Sequence, residues 1–182
     1  YFQHQPYLDN FNEEKGSDLV SAAKIHYEPL GIYPGASEDL ENIKDGAKIA
    51  VPNDATNEAR ALLLLEENGI ITLKEDAGLN ATKKDVEENP HNIEIVELDA
   101  AQIARVVEEL DFVILNGNYA LDAGFNVQTD AIAKEEADSE AAQTYANIIA
   151  VKKENKDSEK IKALVEVLQS EEIGKFITDT YE

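Results

Sequence analysis

The sequence predicts an α/β fold with a mostly parallel sheet. Short apolar runs of strand length alternate with segments of helical period, which is the signature of βαβ units. The turn signals Pro34-Gly35, Asn68-Gly69 and Asn116-Gly117 fall between those segments. Apolar residues make up an ordinary 43% of the 182-residue chain. That is enough to bury a core, so the chain is not a solvated acidic tail.

Residues 1–11 (YFQHQPYLDNF) gather aromatics, a His and a Pro. Residues 19–32 read as an extended segment interrupted by Pro29 and Gly31, and Pro34-Gly35 turns the chain. The stretch 39–44 has the composition of a helical turn. Residues 48–51 (KIAV) form a short buried strand stopped by Pro52. Several cap-forming residues follow, and 57–68 is a helix ended by Asn68-Gly69. Residues 70–73 make a short strand or turn. Residues 93–98 (IEIVEL) alternate apolar and acidic side chains, as a half-buried strand should. Asp99 caps a helix running to Leu110, with Ile103, Val106, Val107 and Leu110 on one face. Residues 111–115 are the next strand, and Asn116-Gly117 leads into a helix from about Asn118. An acidic, Ala-rich stretch (131–142) precedes the strand 147–151, and 158–181 reads as two helices meeting near Ser170.

The charge excludes some functions. Sixteen Lys plus Arg against 38 Asp plus Glu leave a formal net charge of −22. So acidic a chain, with its basic residues dispersed, repels phosphate backbones and anionic membrane surfaces. Nucleic acid is therefore excluded as a partner. Cys is absent, which removes disulfides, thiolate metal sites and a cysteine nucleophile. No apolar stretch approaches the roughly 18–20 residues that span a bilayer. Met is absent even at position 1, which predicts a chain processed or truncated from a longer one.

Catalytic patterns are missing. No Ser sits in a G-x-S-x-G elbow, and His4, His26 and His91 are widely spaced with no metal-ligand pattern. No catalytic residue, metal or cofactor is expected. Arg60 is more informative, because only Arg60 and Arg105 interrupt a lysine-only set of cations. It follows the C-terminal end of a strand, where open α/β sheets bind ligands, and a guanidinium grips a carboxylate bidentately. The alternative is a surface ion pair with a neighbouring Glu. Asn118, in Asn116-Gly117-Asn118, lies at another strand end. It either serves a zwitterion with donors and acceptors or merely belongs to a turn. Tyr1, Phe2, His4 and Tyr7 either wall an apolar pocket or fill a core. Asn147 simply opens the last strand.

Together these motifs resemble the NlpA family of methionine-binding lipoproteins. The resemblance rests on residues 1–8 (YFQHQPYL), 27–33 (YEPLGIY), 49–65 (IAVPNDATNEARALLLL), 116–120 (NGNYA) and 145–149 (YANII), in register over essentially the whole chain. It implies a two-lobe fold of the type II periplasmic-binding-protein kind, each lobe a mostly parallel sheet flanked by helices. Residues 1–33 with 145–182 would form the first lobe and hinge strands, and 34–144 the second. It also implies a first βαβ portion before Tyr1, together with a signal peptide and a lipid-bearing Cys that would hold the protein at the cell surface or in the periplasm.

The resemblance further implies a substrate-binding component that encloses L-methionine between its lobes and delivers it to an ABC transporter permease. It would place Phe2 and His4 around the ligand side chain, Arg60 on the carboxylate, and Asn118 and Asn147 on the other polar groups, with Tyr1 and Tyr7 nearby. Alternatives are a methionine-containing dipeptide or another small amino acid in the same fold. A third is an α/β enzyme on an amino-acid-like substrate, for which His4 is the one evident base.

Overall fold

The computed structural model describes residues 2–136 and 143–181. The chain divides into two compact units. One draws on the chain up to Glu28 and from Glu136 onward; the other is Pro29–Glu135.

The first unit opens with β1 (Phe2–His4) and α1 (Gln5–Lys15). Pro6 stands at the start of α1, where its missing N–H costs nothing. Then come β2 (Leu19–His26), β10 (Asn147–Lys152) and the helices α5 (Glu159–Leu168) and α6 (Glu171–Tyr181). The three strands are ordered β1-β10-β2, and both pairings are antiparallel. Leu8, Ile148 and Ala150 form a small core with Leu19 packed against it. Neither α5 nor α6 buries a residue fully, and Val167 and Phe176 are 59% and 62% exposed.

The second unit holds a five-stranded sheet ordered β7-β4-β8-β3-β9. Its strands are β3 (Gly31–Pro34), β4 (Lys48–Pro52), β7 (Glu94–Leu98), β8 (Phe112–Leu115) and β9 (Ala133–Lys134). A separate ribbon pairs β5 (Thr72–Leu73) with β6 (Val86–Glu88). Side chains alternate between the two faces of the main sheet. Ile32, Ile49, Val51, Phe112 and Ile114 join one core with Ala59, Leu62 and Leu65 of α2 (Ala55–Glu67). Tyr33, Ala50, Val113 and Leu115 join the other with Ile103 of α3 (Ala100–Ile103) and Ala120 of α4 (Gly117–Asp122). Both faces are covered, which explains why the strands read as continuous apolar runs.

The α/β class stands, with one correction to strand direction. The described strands of the first unit are all antiparallel, and the second unit mixes parallel β4–β7 and β4–β8 with antiparallel β3–β8 and β3–β9. Apolar alternation reports burial and not direction. Here β2 carries the chain outward and β10 brings it back, so their pairing is antiparallel.

One helix expected from periodicity and one helical turn expected from composition are altered. Asp99 caps a helix as expected, its carboxylate accepting from the Ala101 N–H at 3.0 Å. The helix ends at Ile103, however, and 104–109 form 3₁₀ turns with Val106 at φ −113° and ψ 15°. The adjacent β-branched Val106 and Val107 favour the break. So does Gly35, whose N–H donates to Asp111 O while Ala36 N–H donates to Leu110 O. A Cβ on Gly35 would stand 2.3 Å from Leu110 O and 2.4 Å from Val107 O, so only glycine fits there. In 39–44 the Asp39 carboxylate takes both the backbone and side-chain amides of Asn42, and the segment stays a turn. No helix among the described residues is long and apolar enough to cross a membrane.

Candidate functional site

The parallel strands β4 and β8 point their C-terminal ends at the same edge of the sheet, and α2 and α4 start there. Asp54 caps α2: its carboxylate accepts the Asn57 N–H at 3.1 Å, the Thr56 hydroxyl at 3.1 Å and the Asn57 side-chain amide at 3.0 Å. The Asn57 Oδ1 in turn accepts from Asn116 Nδ2 at 2.9 Å. One chain of polar side chains thus ties the start of α2 to the β8–α4 turn. Arg60 and Asn118 stand a few residues along from the two ends of that tie. Asn118 is exposed on α4.

Arg60 is buried. Its Nε donates to Glu135 Oε1 at 2.8 Å and its Nη2 to Glu135 Oε2 at 2.5 Å, with the two side chains 4% and 5% exposed. The Leu30 N–H donates to the same Oε2 at 2.8 Å, and the Glu135 N–H donates to Leu30 O at 3.0 Å. The alternative of an ion pair with a neighbouring Glu is therefore half right. The partner is a glutamate, but it lies far away in sequence and the pair is buried. A buried guanidinium needs such a counter-charge, because desolvating an isolated charge is prohibitive.

Glu58, two residues earlier on α2, is also buried. Burial pushes its carboxyl up, opposed by the Lys83 N–H that donates to it at 3.0 Å. Glu97 raises it further by charge, and Lys83 pairs with Glu97. This cluster pins the loop before β6 onto α2.

In the first unit, His4 ends β1 and caps α1. Its Nδ1 accepts the Tyr7 N–H at 3.2 Å, so in the neutral ring the proton sits on Nε2. The ring is buried and packs edge-on against Tyr145 at 5.4 Å and Tyr7 at 6.2 Å. Asn147 opens β10 directly opposite His4 on one side and His26 on the other. His26 Nε2 lies 2.6 Å from Glu28 Oε1, and its ring packs on Tyr181 at 5.3 Å. Phe2 pairs with Ile149 in the β1–β10 ladder. Tyr1 lies outside the described residues.

The structure thus groups the expected residues by unit: Phe2, His4, Tyr7 and Asn147 in one, Arg60 and Asn118 in the other. Sequence reasoning missed Glu135 and the Asp54–Asn57–Asn116 chain. A signal for Glu135 did exist. An arginine set among Ala59, Ala61 and Leu62–Leu65 sits on a helix with almost no polar face, so it required a buried acid from elsewhere.

Comparison with known protein families matches residues 1–182 to the one described as NlpA lipoprotein. The chain belongs to the NlpA lipoprotein family. Among solved structures, a lipoprotein from Ruminococcus gnavus is 65% identical with a TM-score of 0.96, covering 98% of this chain and 74% of that one. A nutrient binding protein from Burkholderia cenocepacia bound to methionine is 45% identical with a TM-score of 0.91, covering 98% and 74%. The D-methionine-binding lipoprotein MetQ of Salmonella typhimurium is 40% identical over 174 residues, which are 94% of this chain and 63% of MetQ. The chain spans between 61% and 66% of the length of eight curated relatives that it matches. These matches place it in the periplasmic-binding-protein-like class of folds.

Proposed function

We propose that this protein captures free methionine outside the cytoplasm and delivers it to an ABC transporter permease, acting as a binder and not as an enzyme. The observation that carries this reading is the 45% identity and 0.91 TM-score to a nutrient binding protein bound to methionine. In this reading Arg60 takes the carboxylate, and Asn118 and Asn147 take the remaining polar groups. Phe2 and His4, with Tyr1 and Tyr7, surround the thioether chain. Membrane attachment is through a lipid anchor on the full-length protein.

The chemistry of the residues supports it. A zwitterion gives up its water only if each charged atom meets a partner. Hydrogen bonds to charged groups contribute about 1.5–3 kcal/mol each, and burial of a Met-sized side chain about 1.5–3 kcal/mol. Thioether–aromatic packing adds about 0.3–1.5 kcal/mol. Nanomolar affinity requires about −12 kcal/mol, which a ligand this small reaches only when fully enclosed. The enzyme alternative loses support at His4, since a general base needs its lone pair and the Nδ1 lone pair holds the α1 cap.

Titration calorimetry of the full-length protein with L-methionine, D-methionine, a methionine-containing dipeptide and alanine tests the reading. Methionine is expected to bind much more tightly than alanine, and Phe2→Ala to weaken methionine more than alanine. A dipeptide that outcompetes both methionine enantiomers would overturn the choice of ligand.

A further inference from the structure

We propose that Glu135 is the positioning residue of the site: it holds the Arg60 guanidinium in the one orientation that receives a ligand carboxylate. The proposal rests on the methionine reading above and adds a residue to it. A guanidinium is a planar fork of five N–H donors. Glu135 takes two of them side by side, Nε at 2.8 Å and Nη2 at 2.5 Å. A two-point grip fixes the plane of the fork as well as its place.

Glu135 is itself held at both ends. Its Oε2 accepts the Leu30 N–H at 2.8 Å, and its own N–H donates to Leu30 O at 3.0 Å. Leu30 is fully buried and leads directly into β3. The orientation of Arg60 is therefore referred to the central sheet and not left to the long, flexible side chain that carries it. The pair also changes what Arg60 recognises. With Glu135 balancing its charge, the guanidinium presents directional donors without excess positive potential, which suits a zwitterion better than a ligand with a net negative charge.

Glu135→Gln keeps the shape of the side chain but removes its charge and turns one acceptor into a donor facing a donor. Two readouts follow. The Arg60 Nε–H is compared with that of exposed Arg105, the other arginine of this sequence. Hydrogen exchange by NMR is expected to show Arg60 protected in the wild type and approaching Arg105 in Glu135→Gln. In parallel, methionine affinity is expected to fall about 10- to 100-fold, while methioninol, which lacks the carboxylate, is barely affected. Equal losses for both ligands would make Glu135 a purely structural residue and overturn the proposal. So would an Arg60 Nε–H that stays protected in Glu135→Gln. Should the Gln variant fail to fold, Glu135→Asp, which keeps the charge one methylene short, reads the same ligand ratio. Wild-type protein that ignores methionine refutes the methionine reading, whereas the exchange measurement decides the anchoring of Arg60 independently.

Discussion

Replacing Arg60 by alanine removes two charge-assisted hydrogen bonds from the Glu135 carboxylate, which also accepts the Leu30 N–H. The side chains are 4% and 5% exposed, so little water is available to take over. Breaking a buried pair from one side costs about 3–5 kcal/mol, because the surviving charge is stranded. Against a typical total stability of about 5–15 kcal/mol, that is a large fraction. The buried pair predicts that Arg60→Ala weakens the fold as well as ligand binding. The remedy is to remove the charges together. Arg60→Leu with Glu135→Leu strands no charge, although it frees the Leu30 N–H, and its stability is expected to exceed that of either single variant. Urea unfolding of the wild type, both single variants and the double variant measures this directly. A loss below about 1 kcal/mol for Arg60→Ala, the range of exposed pairs, would refute the reasoning. So would a double variant that loses the sum of the two singles.

Other expectations concern the scaffold. Gly35→Ala pushes a methyl group into the carbonyls of Leu110 and Val107, so it is expected to lower the melting temperature and disturb the 3₁₀ turns before β8. A melting curve matching wild type would contradict the close approach. The Ser37 hydroxyl and the Lys48 N–H hold the Asp111 carboxyl below its ordinary value, and Thr82 and Lys74 hold Asp85 down at about 2. Carboxyls with a depressed folded pKa stabilise the fold above their unfolded value of 3.8 and lose that contribution as pH falls through the folded value. Stability is therefore expected to drop between about pH 4 and 2. Asp111→Asn should flatten that part of the curve in pH-dependent denaturant unfolding, and an unchanged slope would count against the assignment.

Local signals carried well into the structure where one residue type has one physical use. Asp99 caps its helix, Asn68-Gly69 ends α2 with Gly69 at φ +70°, and the two C-terminal helices break near Ser170. The alternation in 93–98 did yield a strand, β7. What failed to carry was set by distant partners. Strand direction depends on where the chain returns, so the antiparallel first unit left no mark in its own apolar pattern. The helix over 99–110 was broken by its own valines and by the backbone of Gly35, from another part of the chain. In the site, Arg60 stood out because arginine is scarce, whereas Glu135 was hidden among 38 acidic residues and identified only by what it touches.

The clasp between Leu30 and Glu135 has a meaning for folding as well as for the site. Pro29–Glu135 is one continuous stretch, whereas the first unit is assembled from two stretches that this insertion separates. Left unfolded, the insertion is a long loop that must close before β2 and β10 can meet, at an entropic cost that grows with its length. Once it folds, its ends are bridged by two hydrogen bonds at Leu30, and the closed loop no longer includes the stretch between Leu30 and Glu135. A folded second unit with its ends clasped together thus lowers the loop-closure entropy that the β2–β10 ladder must overcome.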